Sequence, residues 1–118
     1  MILFSVFYPY SEGCWFDSKY YAEKHVRCYA DDPLVKGILI ESGNYTRDFK
    51  NPPRYAAAAH FFYDSIEDLE RSRSPERTAR QKQDNVNFTN IPPRNLISEI
   101  AYLDLETIRQ RGDSTWLK

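Results

Sequence analysis

Apolar and polar positions change rhythm repeatedly along this chain, and each change marks an element. Ile2 to Tyr8 is a short β-branched and aromatic run that stops at Pro9, which predicts a first strand. Ser11, Glu12 and Gly13 make a turn. Asp17 is a good N-cap for a helix running to about Tyr29, with Phe16 packing over its first turn and Asp31-Asp32-Pro33 breaking it. Val35 to Ser42 predicts a second strand ending at Gly43, and the polar stretch Asn44 to Arg54 with Pro52-Pro53 is a loop. Tyr55 to Tyr63 is assigned to a third strand against the helix propensity of its four alanines, on the strength of its aromatic tail and of the helix that must follow. Ser65-x-x-Asp68 opens that helix as an acidic capping box. Ser74-Pro75-Glu76 is a second start signal, so the helical region should break there and continue to about Asn85. Leu96 to Leu105 alternates as a last strand, with Leu96, Ser98, Ile100 and Tyr102 on one side.

The order strand, helix, strand, strand, helix, strand is the split pattern of an α+β, ferredoxin-like domain. It predicts β-α-β-β-α-β over residues 1–105, a four-stranded antiparallel sheet with both helices on one face, and a C-terminal tail at 106–118 carrying Trp116 as one aromatic hook. Ile38, Ile40, Phe62 and Ile100 are expected on the open face of that sheet. An apolar open face calls for a cover, and a second copy supplies one, so a homodimer is expected.

Composition narrows the partners. The 118 residues fit one domain with one core. Sixteen basic and seventeen acidic residues leave a net charge of −1, so there is no global basic field to gather nucleic acid. The local basic run Arg71, Arg73, Arg77, Arg80 and Lys82 is interleaved with Glu67, Glu70, Glu76 and Asp84, and reads as a solvated helical face. Cys14 and Cys28 show no paired metal spacing. No stretch approaches the ~20 apolar residues of a membrane span, and no secretory leader pattern opens the chain, so a cytoplasmic location is expected.

The residues also resemble a known family. Phe7-Tyr8-Pro9, Gly13, Phe16-Asp17, Tyr20-Tyr21 and His25 are similar to the signature of EthD-type proteins. Gly37, Glu41, Gly43, Pro53-Tyr55-Ala56 and Phe61-Tyr63-Asp64-Ser65 continue the match, as do Asp84, Asn87-Phe88-Thr89, Pro92 and Ser98-Glu99. The resemblance implies a dimeric α+β barrel, with two protomers packed sheet to sheet and a pocket between each sheet and its own helices. Related folds include cofactor-independent monooxygenases, polyketide cyclases, dehydratases, decarboxylases, lactone isomerases and haem-degrading proteins, so the fold alone leaves the reaction open. One departure stands out. The histidine of the family is commonly followed by x-Pro-Leu, whereas Val26-Arg27-Cys28 follows His25 here, so the helix runs an extra turn or the segment loops differently.

The chemistry centres on His25. A histidine four residues after Tyr21 shares its helical face, and an imidazole of ordinary pKa near ~6.5 exchanges protons around neutrality. His25 is the candidate proton shuttle and Tyr21 the phenol that polarises a carbonyl, with a satisfied helix histidine as the plain structural alternative. Tyr8, Trp15, Phe16, Tyr20 and Phe88 are candidates to line a slot for a flat ligand, or to be ordinary core. His60 in the third strand faces either the pocket or the dimer seam. Thr89, like Asn87, is a loop hydrogen-bonder that could touch a ligand, and Glu99 needs a partner such as Arg94, Tyr102 or a histidine. The expectation is a small enzyme with neither organic cofactor nor metal. It would perform cyclisation, dehydration or decarboxylation on an apolar, oxygenated, polyketide-like or aromatic substrate. The alternatives are a cofactor-free monooxygenase of a phenol or anthrone, and a non-catalytic ligand-binding accessory protein.

Overall fold

The computed structural model describes residues 1–112. Its elements are β1 (Ile2–Pro9), α1 (Ser18–Tyr20), a π-turn (Tyr21–His25), α2 (Arg27–Ala30), β2 (Gly37–Ser42), β3 (Tyr55–Tyr63), α3 (Ile66–Ser72), α4 (Pro75–Asp84), a 3₁₀ turn (Asn85–Asn87), β4 (Arg94–Glu99) and α5 (Glu106–Arg111). The four strands form one antiparallel sheet in the order β2-β3-β1-β4, which is the ferredoxin-like arrangement. Trp116 lies outside the described residues, and α5 occupies the start of what the sequence reads as a polar tail. No helix among the described residues is long and apolar enough to cross a membrane.

Local chemistry sets the helix starts. Asp17 accepts from the Tyr20 N–H at 3.0 Å. Ser65 accepts from the Asp68 N–H at 3.2 Å, and Ser74 from the Arg77 N–H at 3.3 Å, with Pro75 in the first helical position. The break between α3 and α4 therefore falls where those caps demand it. Between α1 and α2 the helical run bulges. The Val26 N–H reaches the Tyr21 carbonyl at 2.9 Å, five residues back, and the chain continues helical to Ala30. That is the extra turn allowed by the absence of x-Pro-Leu.

Phe4, Val6 and Tyr8 of β1 face the helices and join Ala57, Ala59, Phe61 and Tyr63 of β3 in the core. The alanine run is a strand because of where it sits: Ala57 and Ala59 lie opposite Tyr8 and Val6 in the sheet, where small side chains leave room for the aromatic rings above. Tertiary packing overrides helix propensity there. Tyr29 stacks on Phe61 at 3.8 Å, fastening α2 to the sheet. A buried Asp32 accepts from Leu34 N–H and Ser72 Oγ and pairs with Arg77, which ties the end of α2 to both α3 and α4.

Two expectations about the strands are corrected. Ile38 and Ile40 face the helices and pack on the core, because Cα pairing aligns them with Phe61 and Ala59; Leu39 joins Phe62 on the open face instead. The last strand stops at Glu99, not Leu105, because β1 begins at Ile2 and the final ladder bond runs from the Ile100 N–H to the Met1 carbonyl. Beyond that point no neighbour remains to pair with.

Candidate functional site

The π-turn does the positioning. It carries Tyr21 and His25 together onto the inner face, with ring centroids 4.8 Å apart, where both are buried. Bulges of this kind insert one residue and re-aim side chains, and they concentrate at functional sites. Phe88 closes over the imidazole at 4.5 Å.

His25 is held from the far side of the domain. Its Nδ1 lies 2.8 Å from Oδ2 of Asp84, the last residue of α4. The other carboxylate oxygen accepts from the Tyr20 hydroxyl at 2.7 Å and from Asn87 Nδ2 at 2.9 Å. Desolvation opposes the ionisation of Asp84, but the hydrogen bonds from Asn87, Tyr20 and His25 outweigh it and hold the carboxyl below the ordinary carboxylate range. An ionised Asp84 accepts, so Nδ1 carries the proton and Nε2 presents its lone pair. Burial also lowers the pKa of His25 more than Asp84 raises it, which keeps the ring neutral at neutral pH. Among the described residues Nε2 makes no hydrogen bond. The arrangement is a carboxylate, a fixed tautomer and an unspent base.

The ring lines a cavity of about 70 Å³ between the sheet and α4. Phe4, Val6 and Tyr8 line it from β1 and Thr78, Gln81, Lys82 and Asn85 from α4 and the turn after it, with Tyr29, Arg73, Pro93 and Asn95 completing the lining. Burial pushes the Tyr8 phenol well up and that of Tyr29 up to about 12, so both stay protonated donors. Tyr21 is not on this wall. It stands behind Tyr8, with ring centroids 6.1 Å apart, and its hydroxyl is sealed without a hydrogen-bond partner although the Tyr8 phenol is near enough to perturb it. A space of this size suits a small reacting group, since drug-sized ligands occupy roughly 300–1,000 Å³.

No protein-family model and no curated protein matches the sequence. Solved structures do. An EthD-like protein from Ralstonia eutropha JMP134 shares 29% identity over 89% of this chain and 96% of its own, with a TM-score of 0.80. The fold is that of EthD-like proteins. A member of the ethyl tert-butyl ether degradation family from Bacillus halodurans C-125 superposes with a TM-score of 0.63 at 17% identity, over 85% of this chain and 98% of its own. SnoaB, a cofactor-independent oxygenase from Streptomyces nogalater, shares the fold at 8% identity and a TM-score of 0.54, over 89% of this chain and 96% of its own.

Within this fold the other sequence candidates separate. Tyr8 reaches the cavity. Phe16 and Phe88 pack against Tyr8 and Tyr21 as an aromatic cluster, and Tyr20 serves Asp84. Thr89 donates to the Trp15 carbonyl and accepts from the Ile91 N–H, which makes it a loop fastener. Trp15 is exposed and borders an outer groove with Tyr10 and Asn44. His60 lies on the open face of the sheet, between Ser5 Oγ at 2.7 Å and Glu41 Oε1 at 2.7 Å. Glu99 is exposed on edge strand β4, clear of the cavity and bonded to neither histidine. The partner of His25 is Asp84, a residue that the EthD resemblance included without giving it this role.

Proposed function

We propose that this EthD-type domain is a small acid–base enzyme in which His25 moves the proton. Nε2 takes a C–H proton adjacent to a carbonyl, and the electron pair shifts onto the carbonyl oxygen. The Tyr8 phenol, backed by the unpaired Tyr21 hydroxyl, donates to that oxygen as charge builds. The enolate carbon then attacks a second carbonyl of the substrate, whose oxygen takes the proton back from the imidazolium, or the enolate expels a β-hydroxyl that leaves with that proton as water, so cyclisation and dehydration need the same two parts. The substrate class is an apolar oxygenated molecule, polyketide-like or aromatic, whose reacting end enters the small cavity. The observation that carries the reading is the ionised Asp84 holding His25 at Nδ1 while Nε2 stays free beside the cavity. The reading includes a homodimer formed through the open face, supported by the exposed Leu39 and Leu96 on it.

The test is proton exchange followed by NMR in deuterated water, with a panel of β-diketones and hydroxylated aromatic ketones. Wild-type protein is expected to exchange an α-proton of at least one member. His25→Gln, which keeps the volume of the side chain, should slow that exchange by on the order of 10²–10⁴-fold. Exchange at the wild-type rate in His25→Gln removes the mechanism. A second reading, a cofactor-free oxygenase, is favoured by the likeness to SnoaB. It requires that product formation stop under strict anaerobiosis.

A further inference from the structure

One cation of the basic run leaves the solvated face. Arg71 pairs with Asp68 at the surface and Arg77 with Asp32, but Arg73 falls at the break between α3 and α4. There the backbone departs from helical geometry, at φ −98° and ψ 54°. The side chain is half-buried, with its guanidinium carbon 4.4 Å from the centre of the Phe4 ring. Phe4 covers one flat face of the guanidinium, which leaves the N–H edge for a planar partner. Arg73 makes no ion pair among the described residues. The cavity that it borders with His25 is lined by Lys82 as well, and by no acidic side chain. Gln81 lines the same cavity at 7% exposure, and its amide makes no hydrogen bond among the described residues. Unpartnered groups so placed are matched by a guest that is anionic and accepts hydrogen bonds.

We propose that Arg73 anchors a carboxylate in this cavity, so that the molecule on which His25 acts is a keto acid. This rests on the acid–base reading of the cavity and narrows its substrate class. Guanidinium and carboxylate are both planar and meet through two parallel N–H···O bonds, a pairing that a neutral carbonyl does not form. A space of about 70 Å³ takes a carboxylate with the carbons next to it, while an apolar remainder stays outside. From the lining of the same cavity, the Tyr8 phenol serves the keto oxygen and Nε2 of His25 the neighbouring C–H. The fixed charges of Arg73 and Lys82 also favour the enolate, whose added negative charge develops in that space. A substrate without the acid leaves the guanidinium unmet, and selectivity follows from that penalty.

The full chain is titrated with pyruvate, acetoacetate and levulinate, each beside its primary amide. Saturation-transfer NMR reads the affinities, and deuterium uptake reads the proton exchange. At least one acid should bind about tenfold or more tightly than its amide. Arg73→Met, which keeps an unbranched chain over Phe4, should raise the Kd of that acid about tenfold or more and leave the amide unchanged. Arg73→Lys, charged but without the planar fork, should fall between the two. Far-UV circular dichroism checks that both variants fold. Should Arg73→Met unfold, Arg73→Lys decides alone, and an undiminished preference for the acid overturns the anchor. His25→Gln should still prefer the acid, because the anchor is separate from the base. An acid bound through Arg73 that exchanges no proton keeps the anchor and removes the acid–base reading. Acids bound no better than their amides, or a preference unchanged in Arg73→Met, overturn the anchor, while exchange of the neutral ketones decides the base separately.

Discussion

At the scale of single residues, the site turns on how Asp84 controls one imidazole. Two opposed effects act on His25: burial disfavours its cation, and Asp84 favours it, with burial the larger. A base must be neutral to work, so activity should fall on the acid side with an apparent pKa below the ordinary 6.5. Asp84→Asn removes the favouring charge and leaves burial unopposed. The acid limb should then move to still lower pH, while the rate at neutral pH drops by on the order of 10²-fold as the tautomer is no longer enforced. A purely structural Asp84 would lower the amount of folded protein without moving the limb, so a full pH profile separates the two. Stability follows the same sign: the unfolded imidazole takes its proton first, so the contribution of a neutral His25 is present above 6.5 and is lost as pH falls from there toward the depressed folded value. Tyr21 offers a second residue-level test. Its sealed hydroxyl has no partner, and an unsatisfied buried hydroxyl costs about 1–3 kcal/mol. Tyr21→Phe should raise the urea midpoint while lowering turnover about tenfold, because the Tyr8 phenol that meets the substrate oxygen loses the hydroxyl behind it. Unchanged turnover in a stabilised variant would assign Tyr21 to packing alone.

At the scale of elements, the helical run 18–30 shows what the sequence could and could not reveal. Its start was legible because an aspartate cap is a local signal, and the same holds for Ser65 and Ser74-Pro75. The π-turn was not, since an inserted residue is recognised only by what it re-aims, and Tyr21 and His25 sit four apart whether the turn is α or π. The strand faces were half legible. Ile38, Leu39 and Ile40 are all apolar, so alternation could not decide which faced inward, and only pairing with β3 settles it. The Asp84–His25 bond joins residues 59 apart, a distance over which residue spacing carries no information. Deleting the exposed Ala22 converts the π-turn to an α-turn. It shortens the step from Tyr21 to the imidazole to three residues, which leaves both on one face but draws the ring back by about 1.5 Å along the helix, out of register with Asp84. Helix content by circular dichroism should persist while turnover disappears. Retained turnover would mean that the bulge has no part in aiming the base.

At the scale of the whole molecule, the sheet alone makes a small interface for the proposed dimer. Four strands about 4.8 Å apart and six residues long cover roughly 400 Å², against the ~800 Å² per partner of a standard interface. Flanking segments must supply the rest, and the loop between β2 and β3 is built for display. Asp48 organises it, accepting from Thr46 Oγ1 at 2.6 Å and from the Lys50 N–H at 3.0 Å, and these bonds pull its carboxyl down to about 2. On that frame Tyr45 and Phe49 stand 75% and 77% exposed with ring centroids 5.8 Å apart. Phe49 also holds φ at 59°, a left-handed conformation that costs a residue with a Cβ about 1–2 kcal/mol. An exposed aromatic in a strained conformation gives the isolated protomer nothing in return. Phe49→Gly should therefore act with opposite signs on two measurements. Unfolding at low concentration, where monomer dominates, should move to higher denaturant as the strain is relieved. Dimer Kd by sedimentation should rise about tenfold as the ring is lost. If both measurements move together toward stability, the loop is no part of the interface, and the missing area has to come from the apolar segment Leu103, Leu105 and Ile108, which borders Leu39 and Phe62 across a groove of about 440 Å³.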